Sequence, residues 1–269
     1  MTTIRVGLSS CPNDTFLFAG LLQGEVGFCG LDLCFHVGDV QELNEMVVAG
    51  GLDVGKVSFA TALRLSDSHG VLRVGSALGF GVGPVLLGRE GATMPGPGAS
   101  VLCPGAGTTA TVLMQVLHPE VKTLMQRRFD QIMPALLEGE ADAGVCIHEG
   151  RFTYQNYGLA LLEDLGSRWE EQTGSPVPLG GLVARMGLGF EVHQRLTEAL
   201  SNSLAWARES PERALPTMRH WAQEMSDEVL WQHVDLYVNE HTADLGEKGV
   251  ASLQALADGT DWGSVPPVL

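Results

Sequence analysis

Lysine is scarce in this chain: Lys56, Lys122 and Lys248 stand against thirteen arginines. Basic residues of both kinds number 16 and acidic ones 32, which leaves a formal charge of −16. A surface of that sign repels phosphate backbones and anionic headgroups, so neither nucleic acid nor membrane is expected as a partner. No stretch of about eighteen uninterrupted apolar residues occurs. The opening MTTIRVGLSSCPNDTF also lacks the basic region and continuous apolar run of a signal peptide, and a cytoplasmic protein is expected. The five cysteines, Cys11, Cys29, Cys34, Cys103 and Cys146, form no CxxC pair, and their odd number leaves one over in any pairing scheme. They read as reduced small residues. No cluster of Cys, His and carboxylates suggests a metal, and His148-Glu149 is not the start of a zinc helix because Phe152 stands four positions on. A G-x-S-x-G elbow and a spaced pair of catalytic carboxylates are missing too.

What is present is a repeated α/β pattern. The 269 residues suffice for one large domain or two lobes. Ile4–Ser9 reads as a strand, Ser10–Thr15 as a polar loop, and Phe16–Leu22 as the start of a helix. Helical spacing over Val40–Ala49 stops at Gly50-Gly51, and Val54–Phe59 follows as a buried strand. Cys11-Pro12 recurs 92 residues on as Cys103-Pro104, and Gly50…Asp53-Val54-Gly55 recurs 89 residues on as Gly139…Asp142-Ala143-Gly144. Between these landmarks the second copy offers a strand at Ala99–Cys103, a glycine-rich loop, a helix from Thr108 and another helix near Pro134–Glu138. The pattern predicts two similar lobes, residues 1–90 with 182–269 and residues 91–181. Gly91–Gly98 is the expected crossing into the second lobe and Ser175–Gly181 the exit. A helical C-terminal third is expected to return and pack on the first lobe.

Two lobes joined by two crossings leave a cleft, and loops at the carboxyl ends of parallel strands face it. Four segments then converge. Gly105-Ala106-Gly107-Thr108-Thr109 opens a helix, so backbone N–H groups and two hydroxyls are available to an anionic oxygen. A plain helix cap and a mid-chain dinucleotide fingerprint are the other readings of that loop. In Ser10-Cys11-Pro12-Asn13-Asp14-Thr15, either Asn13 or Asp14 caps the next helix, and Asp14 is better suited to holding the loop than to touching an anion. Lys56 lies in an apolar stretch and shares a strand face with Ser58. A buried ammonium needs an anion, either a protein carboxylate such as Asp53 or a ligand carboxylate at the cleft. His148 ends the run Ala143–Ile147, beside Glu149 and Arg151, where a general base belongs, while none of the other seven histidines has that setting. A structural, capped histidine is the alternative.

The blocks SSCPNDTF, GKVSFA, GAGTTA, IHEGRFTYQNYGL, DLGSRWEEQTGSPVPLGG and SDEVLWQHVDLYVNEHTADLGEKG together resemble the 1,4-dihydroxy-6-naphthoate synthase family over nearly the whole chain. The CPNDTF opening separates it from the sister chorismate dehydratases, which share the fold. The resemblance implies a type 2 periplasmic-binding-protein-like fold in a lyase without redox cofactor. Its implied reaction converts cyclic dehypoxanthine futalosine, a small anionic aromatic substrate, to 1,4-dihydroxy-6-naphthoate and dihydroxyacetone. It also implies substrate binding at Lys56, Val57, Ser58, Thr108 and Thr109, with His148 as proton acceptor. One departure is Ser10, where family members usually carry proline. A binding protein that captures a small carboxylate between its lobes is the rival reading from another class.

Overall fold

A computed structural model describes residues 3–148, 150–222 and 226–269. The first repeat runs β1 (Ile4–Ser9), α1 (Pro12–Leu22), β2 (Leu33–Gly38), α2 (Val40–Val48) and β3 (Val54–Ser58). After α3 (Phe59–Arg64), β4 (His69–Val71), β5 (Ala77–Gly79) and β6 (Val85–Arg89), the order returns. The second repeat is β7 (Ser100–Cys103), α4 (Thr109–Leu117), β8 (Thr123–Gln126), α5 (Ile132–Leu137) and β9 (Ala143–Cys146). The remaining elements are α6 (Gly150–Thr153), β10 (Leu159–Asp164), α7 (Leu165–Thr173), β11 (Val177–Arg185), α8 (Phe190–Glu209), α9 (Pro211–Trp221), α10 (Asp227–Tyr237), α11 (Glu240–Ala243) and α12 (Gly246–Asp258).

The repeat is structural. One sheet has the order β2-β1-β3-β11-β4, with β5 also on β11, and the other β10-β6-β9-β7-β8. In each, the first strand of the repeat lies between the other two and pairs parallel with both. In each, an antiparallel strand supplied by a crossing then joins the third, β11 on β3 and β6 on β9. The register from Ile4↔Leu33 to Ser9↔Gly38 keeps Val6 and Leu8 on a buried face.

The lobe boundaries differ from those expected. β6, which a boundary at residue 91 leaves in the first lobe, pairs within the second sheet, so the chain changes sheet over residues 80–84. The change back falls between β10 and β11, at residues 165–176, and most of the expected exit, Val177–Gly181, is already strand. Residues 91–98 only connect β6 to β7 inside one sheet. Both 80–84 (FGVGP) and 91–98 (GATMPGPG) are rich in glycine and proline, so composition does not tell a crossing from a return. The two crossings meet backbone to backbone, and a Cβ added at Gly83 would stand 2.1 Å from Gly166 Cα.

Helix α1 also begins earlier than expected. Pro12 occupies its first turn, where the missing N–H costs nothing, and Cys11 is the N-cap. All residues from Pro12 to Leu21 are buried because the sheet covers one side while α8, α9 and α10 cover the other. The C-terminal helices thus return to the first lobe, as expected. Each large side chain sealed in this layer, such as Phe18 or Leu17, contributes about 1.5–3 kcal/mol by leaving water.

Candidate functional site

The carboxyl ends of β1, β3 and β9, the start of α4 and the crossing at 80–84 surround a cavity with about 660 Å³ of empty space, its mouth included. Lys56, Val57, Ser58, Thr108, Thr109 and His148 all line it. Val40, Val57, Val82, Pro84, Ile147 and Leu179 supply apolar walls, and Lys56 is the sole lysine or arginine in the lining among the described residues.

Lys56 is 5% exposed, and its partner is a protein carboxylate, as one of the two readings has it, but Asp14 rather than Asp53. Nζ donates to Asp14 Oδ1 at 2.5 Å and to the Gly75 carbonyl at 3.0 Å. Asp53 is taken by Arg5 and Arg185, and the Arg5 hydrogen bond holds its carboxyl below the ordinary carboxylate range. Asp14, 2% exposed, gathers further donors: Ser9 Oγ at 2.5 Å and Asn13 Nδ2 at 3.0 Å. Neither Asn13 nor Asp14 caps α1, because both sit inside its first turn and turn their side chains into this network. Ionic balance inside the wall, rather than helix capping, explains the acidic residue at position 14.

Ser58 caps β3 at the cavity. Its N–H donates to Asn44 Oδ1 at 2.9 Å, while its Oγ accepts from Asn44 Nδ2 at 3.4 Å. Among the described residues nothing accepts the Ser58 hydroxyl proton, so it is a donor available to a ligand.

The threonine pair differs from expectation. Thr108 Oγ1 donates to the Gly105 carbonyl at 2.8 Å and accepts the Thr111 N–H at 3.2 Å, as an N-cap does. Thr109 Oγ1 donates to the Leu179 carbonyl at 2.9 Å and accepts the Ala60 N–H at 3.2 Å, tying α4 to the first lobe. Each hydroxyl has its only proton on a carbonyl, so neither donates to an anion. The donors left over are the first-turn N–H groups of Thr109 and Ala110, which have no acceptor within the helix. The glycines of the loop serve lobe contact: Gly107 N–H donates to Gln41 Oε1 at 3.1 Å, and a Cβ on Gly105 would meet that oxygen at 2.5 Å. Gly105 N–H donates to Gln126 Oε1 at 3.1 Å, so both glycine N–H groups of the loop are committed to side chains of the protein, which counts against the dinucleotide reading.

His148 lies two residues beyond β9 with φ of +56°, a left-handed backbone that a non-glycine residue adopts at some cost. That turn puts the half-buried ring at the cavity. Cys11 Sγ stands 3.2 Å from Nδ1 and 3.7 Å from Nε2, and Phe129 meets the ring edge-on at 4.9 Å. Of its neighbours, Glu149 lies outside the described residues, and Arg151 is turned away, donating to the Gly83 carbonyl and pairing with Asp164 at 2.7 Å. Ser10 donates its N–H to the Gly38 carbonyl at 3.2 Å, a hydrogen bond that proline cannot make.

Sequence reasoning missed a second histidine. His233, in the middle of α10, lines the same cavity, with its ring stacked 6.2 Å from that of His148 and 4.5 Å from that of Tyr237. Its helical spacing marks it as a packing residue, and only the return of the C-terminal helices onto the first lobe brings it here. Burial, first, and then the nearby His148 and Lys56 push its pKa well below the ordinary histidine value. Cys103, beneath the α4 loop, is inert: burial pushes its thiol up to about 12. Among the described residues no three His, Cys, Asp or Glu side chains converge as metal donors would, and no helix is long and apolar enough to cross a membrane.

Comparison with known proteins adds to this geometry. Residues 4–260 match a family described as menaquinone biosynthesis. A Thermus thermophilus protein named 1,4-dihydroxy-6-naphtoate synthase is 43% identical over 256 residues, 95% of this chain and 93% of its own. A Streptomyces coelicolor protein of the same name is 43% identical over 260 residues, 94% of this chain and 91% of its own. Among solved structures, an Archaeoglobus fulgidus protein superimposes with a TM-score of 0.90 at 30% identity over 96% of both chains. The alkanesulfonate-binding protein SsuA of Xanthomonas axonopodis superimposes with a TM-score of 0.70 at 12% identity, over 96% of this chain and 92% of its own. At that identity the likeness concerns the fold, which is that of two-lobed periplasmic binding proteins.

Proposed function

Because the chain belongs to the menaquinone-biosynthesis family, we propose that it is a carbon–carbon lyase, a 1,4-dihydroxy-6-naphthoate synthase. It converts cyclic dehypoxanthine futalosine to 1,4-dihydroxy-6-naphthoate and dihydroxyacetone. The observation that carries the reading is the meeting, in one largely apolar cavity, of the His148 imidazole with the free N–H groups at the start of α4. The α4 terminus suits the substrate carboxylate, since orphan N–H groups and the helix dipole both favour negative charge. Ser58 and the remaining N–H of the Lys56 ammonium add donors from β3. The apolar walls receive the rings and exclude water.

His148 acts as general base. It removes a hydroxyl proton, a carbon–carbon bond breaks, and the remaining ring gains aromaticity. Cys11 and Phe129 hold the imidazole against the cavity, so the proton acceptor is positioned before substrate arrives. No electron acceptor enters this balance. The reading carries with it a cytoplasmic location and no nucleic-acid or membrane partner, in keeping with the charge of −16.

The test is incubation of the purified protein with cyclic dehypoxanthine futalosine. Repeated turnover to the naphthoate and dihydroxyacetone is expected. Stoichiometric binding without product would instead support a carboxylate-binding protein, and turnover of chorismate in its place would support the sister dehydratase.

A further inference from the structure

His233 is 1% exposed, and among the described residues no group donates to its Nδ1. The tautomer follows from the network around it. Asp14 pairs with Lys56, so its carboxylate accepts, and the Asn13 group that meets Asp14 Oδ1 at 3.0 Å is the amide Nδ2. Asn13 Oδ1 therefore faces His233 Nε2 at 3.1 Å and must receive a proton from it. The Nε2–H is committed, and Nδ1 is left as a bare lone pair. Burial keeps this imidazole neutral, as does the positive charge of Lys56 nearby. A buried acceptor without a donor is costly; His233 belongs to the cavity lining, and because Nδ1 itself has almost no accessible surface, a ligand group that completes it must part the rings packed beside it.

We propose that His233 is a positioning residue whose Nδ1 accepts a hydrogen bond from a hydroxyl on the ring of the bound substrate that becomes aromatic. This rests on the lyase reading above. Two imidazoles stacked 6.2 Å apart then have different work: His148 exchanges a proton, and His233 orients the hydroxyl-bearing ring beside it. The chain Lys56–Asp14–Asn13–His233 transmits the orientation from the buried ion pair to the ligand. It also gives Asp14 and Asn13 a purpose beyond starting α1. The ligand class selected is an aromatic carboxylate that carries a ring hydroxyl, in preference to one without.

Two probes separate the terms: 1,4-dihydroxy-6-naphthoate, and 2-naphthoate, which keeps the fused rings and carboxylate but has no hydroxyl. His233→Gln retains an amide donor for Asn13 and has no acceptor at the Nδ1 position, whereas His233→Asn places an oxygen there and loses the Asn13 contact. His233→Gln is expected to weaken dihydroxynaphthoate binding and kcat/KM by about five- to hundredfold, the worth of one buried hydrogen bond. Its affinity for 2-naphthoate is expected to be unchanged, and His233→Asn to regain part of the loss. In the wild-type protein labelled with ¹⁵N-histidine, the bare Nδ1 resonance of His233 should move on adding dihydroxynaphthoate and stay in place with 2-naphthoate. Equal losses on both probes, full activity in His233→Gln, or an unmoved Nδ1 resonance would overturn the proposal. Absence of wild-type turnover would instead remove the lyase reading, and the resonance experiment needs neither a variant nor turnover.

Discussion

Cys11 Sγ lies 3.2 Å from His148 Nδ1, so the N-cap of the first helix and the residue beyond the last strand of the second repeat touch across the cleft. The two residues are 137 positions apart in sequence. If the ring is the base, its removal should cost catalysis and leave binding. His148→Ala is expected to lose about 10²- to 10⁴-fold in kcat with little change in product affinity. Cys11→Ala, which keeps the imidazole and removes its neighbour, should lose about tenfold. Steady-state kinetics with product calorimetry measure both, and normal turnover in His148→Ala would end its role.

The Lys56–Asp14 pair should matter for folding as well as for the site. Removing one partner leaves an uncompensated charge in the wall, at a cost of about 3–5 kcal/mol for Asp14→Ala. Replacing both partners by apolar residues, Asp14→Leu with Lys56→Met, is expected to recover most of that stability while leaving the enzyme inactive. Urea unfolding of the single and double variants distinguishes this from simple additivity, in which the double variant would be the least stable of the three.

Gly105 is expected to resist any side chain. Its φ of +133° is a glycine conformation, and a Cβ would lie 2.5 Å from Gln41 Oε1. Gly105→Ala should cost about 1–3 kcal/mol from backbone strain alone. The lobe contact should loosen as well, seen as faster amide exchange at the start of α4. A variant as stable and as protected as the wild type would contradict the docking role given to this loop.

Stability should fall as the solution becomes mildly acidic. His233 titrates well below the ordinary value of 6.5 in the folded protein, so below that pH the unfolded chain takes up a proton the native state refuses. The resulting loss is about 1.4 kcal/mol per pH unit for this one group, beginning near pH 6.5 and continuing until the folded pKa is reached. His69, lowered by burial and then by Arg185, shifts stability in the same direction. The lowered aspartates, Asp53 among them, add their loss only below about 3.8. Chemical denaturation between pH 7.5 and 5 should show the slope, and His233→Asn should flatten it by about one proton.

The strands β1, β3, β7 and β9 and their repeat were legible because burial imposes a pattern on a strand and duplication leaves matched landmarks such as Asp53-Val54-Gly55 and Asp142-Ala143-Gly144, whereas β2 and β8, half-exposed at the sheet edges, were not. That His148, Lys56, Ser58 and the threonine pair line one cavity was legible as well, since side chains at the carboxyl ends of strands face a crevice. What the chain order leaves open is every partner chosen across long sequence distance. Lys56 pairs with Asp14 rather than Asp53, three residues away, because Arg5 and Arg185 converge on Asp53. The hydroxyl of Thr109 serves the carbonyl of Leu179, 70 residues on, because the lobes approach closely at the start of α4. His233 reaches the cavity only because α10 folds back over α1. Local patterning thus determined the elements and the ends at which chemistry sits. Tertiary packing decided which charges cancel, which donors stay free and which second imidazole lines the cavity, because those outcomes depend on distances between segments that the order along the chain does not contain.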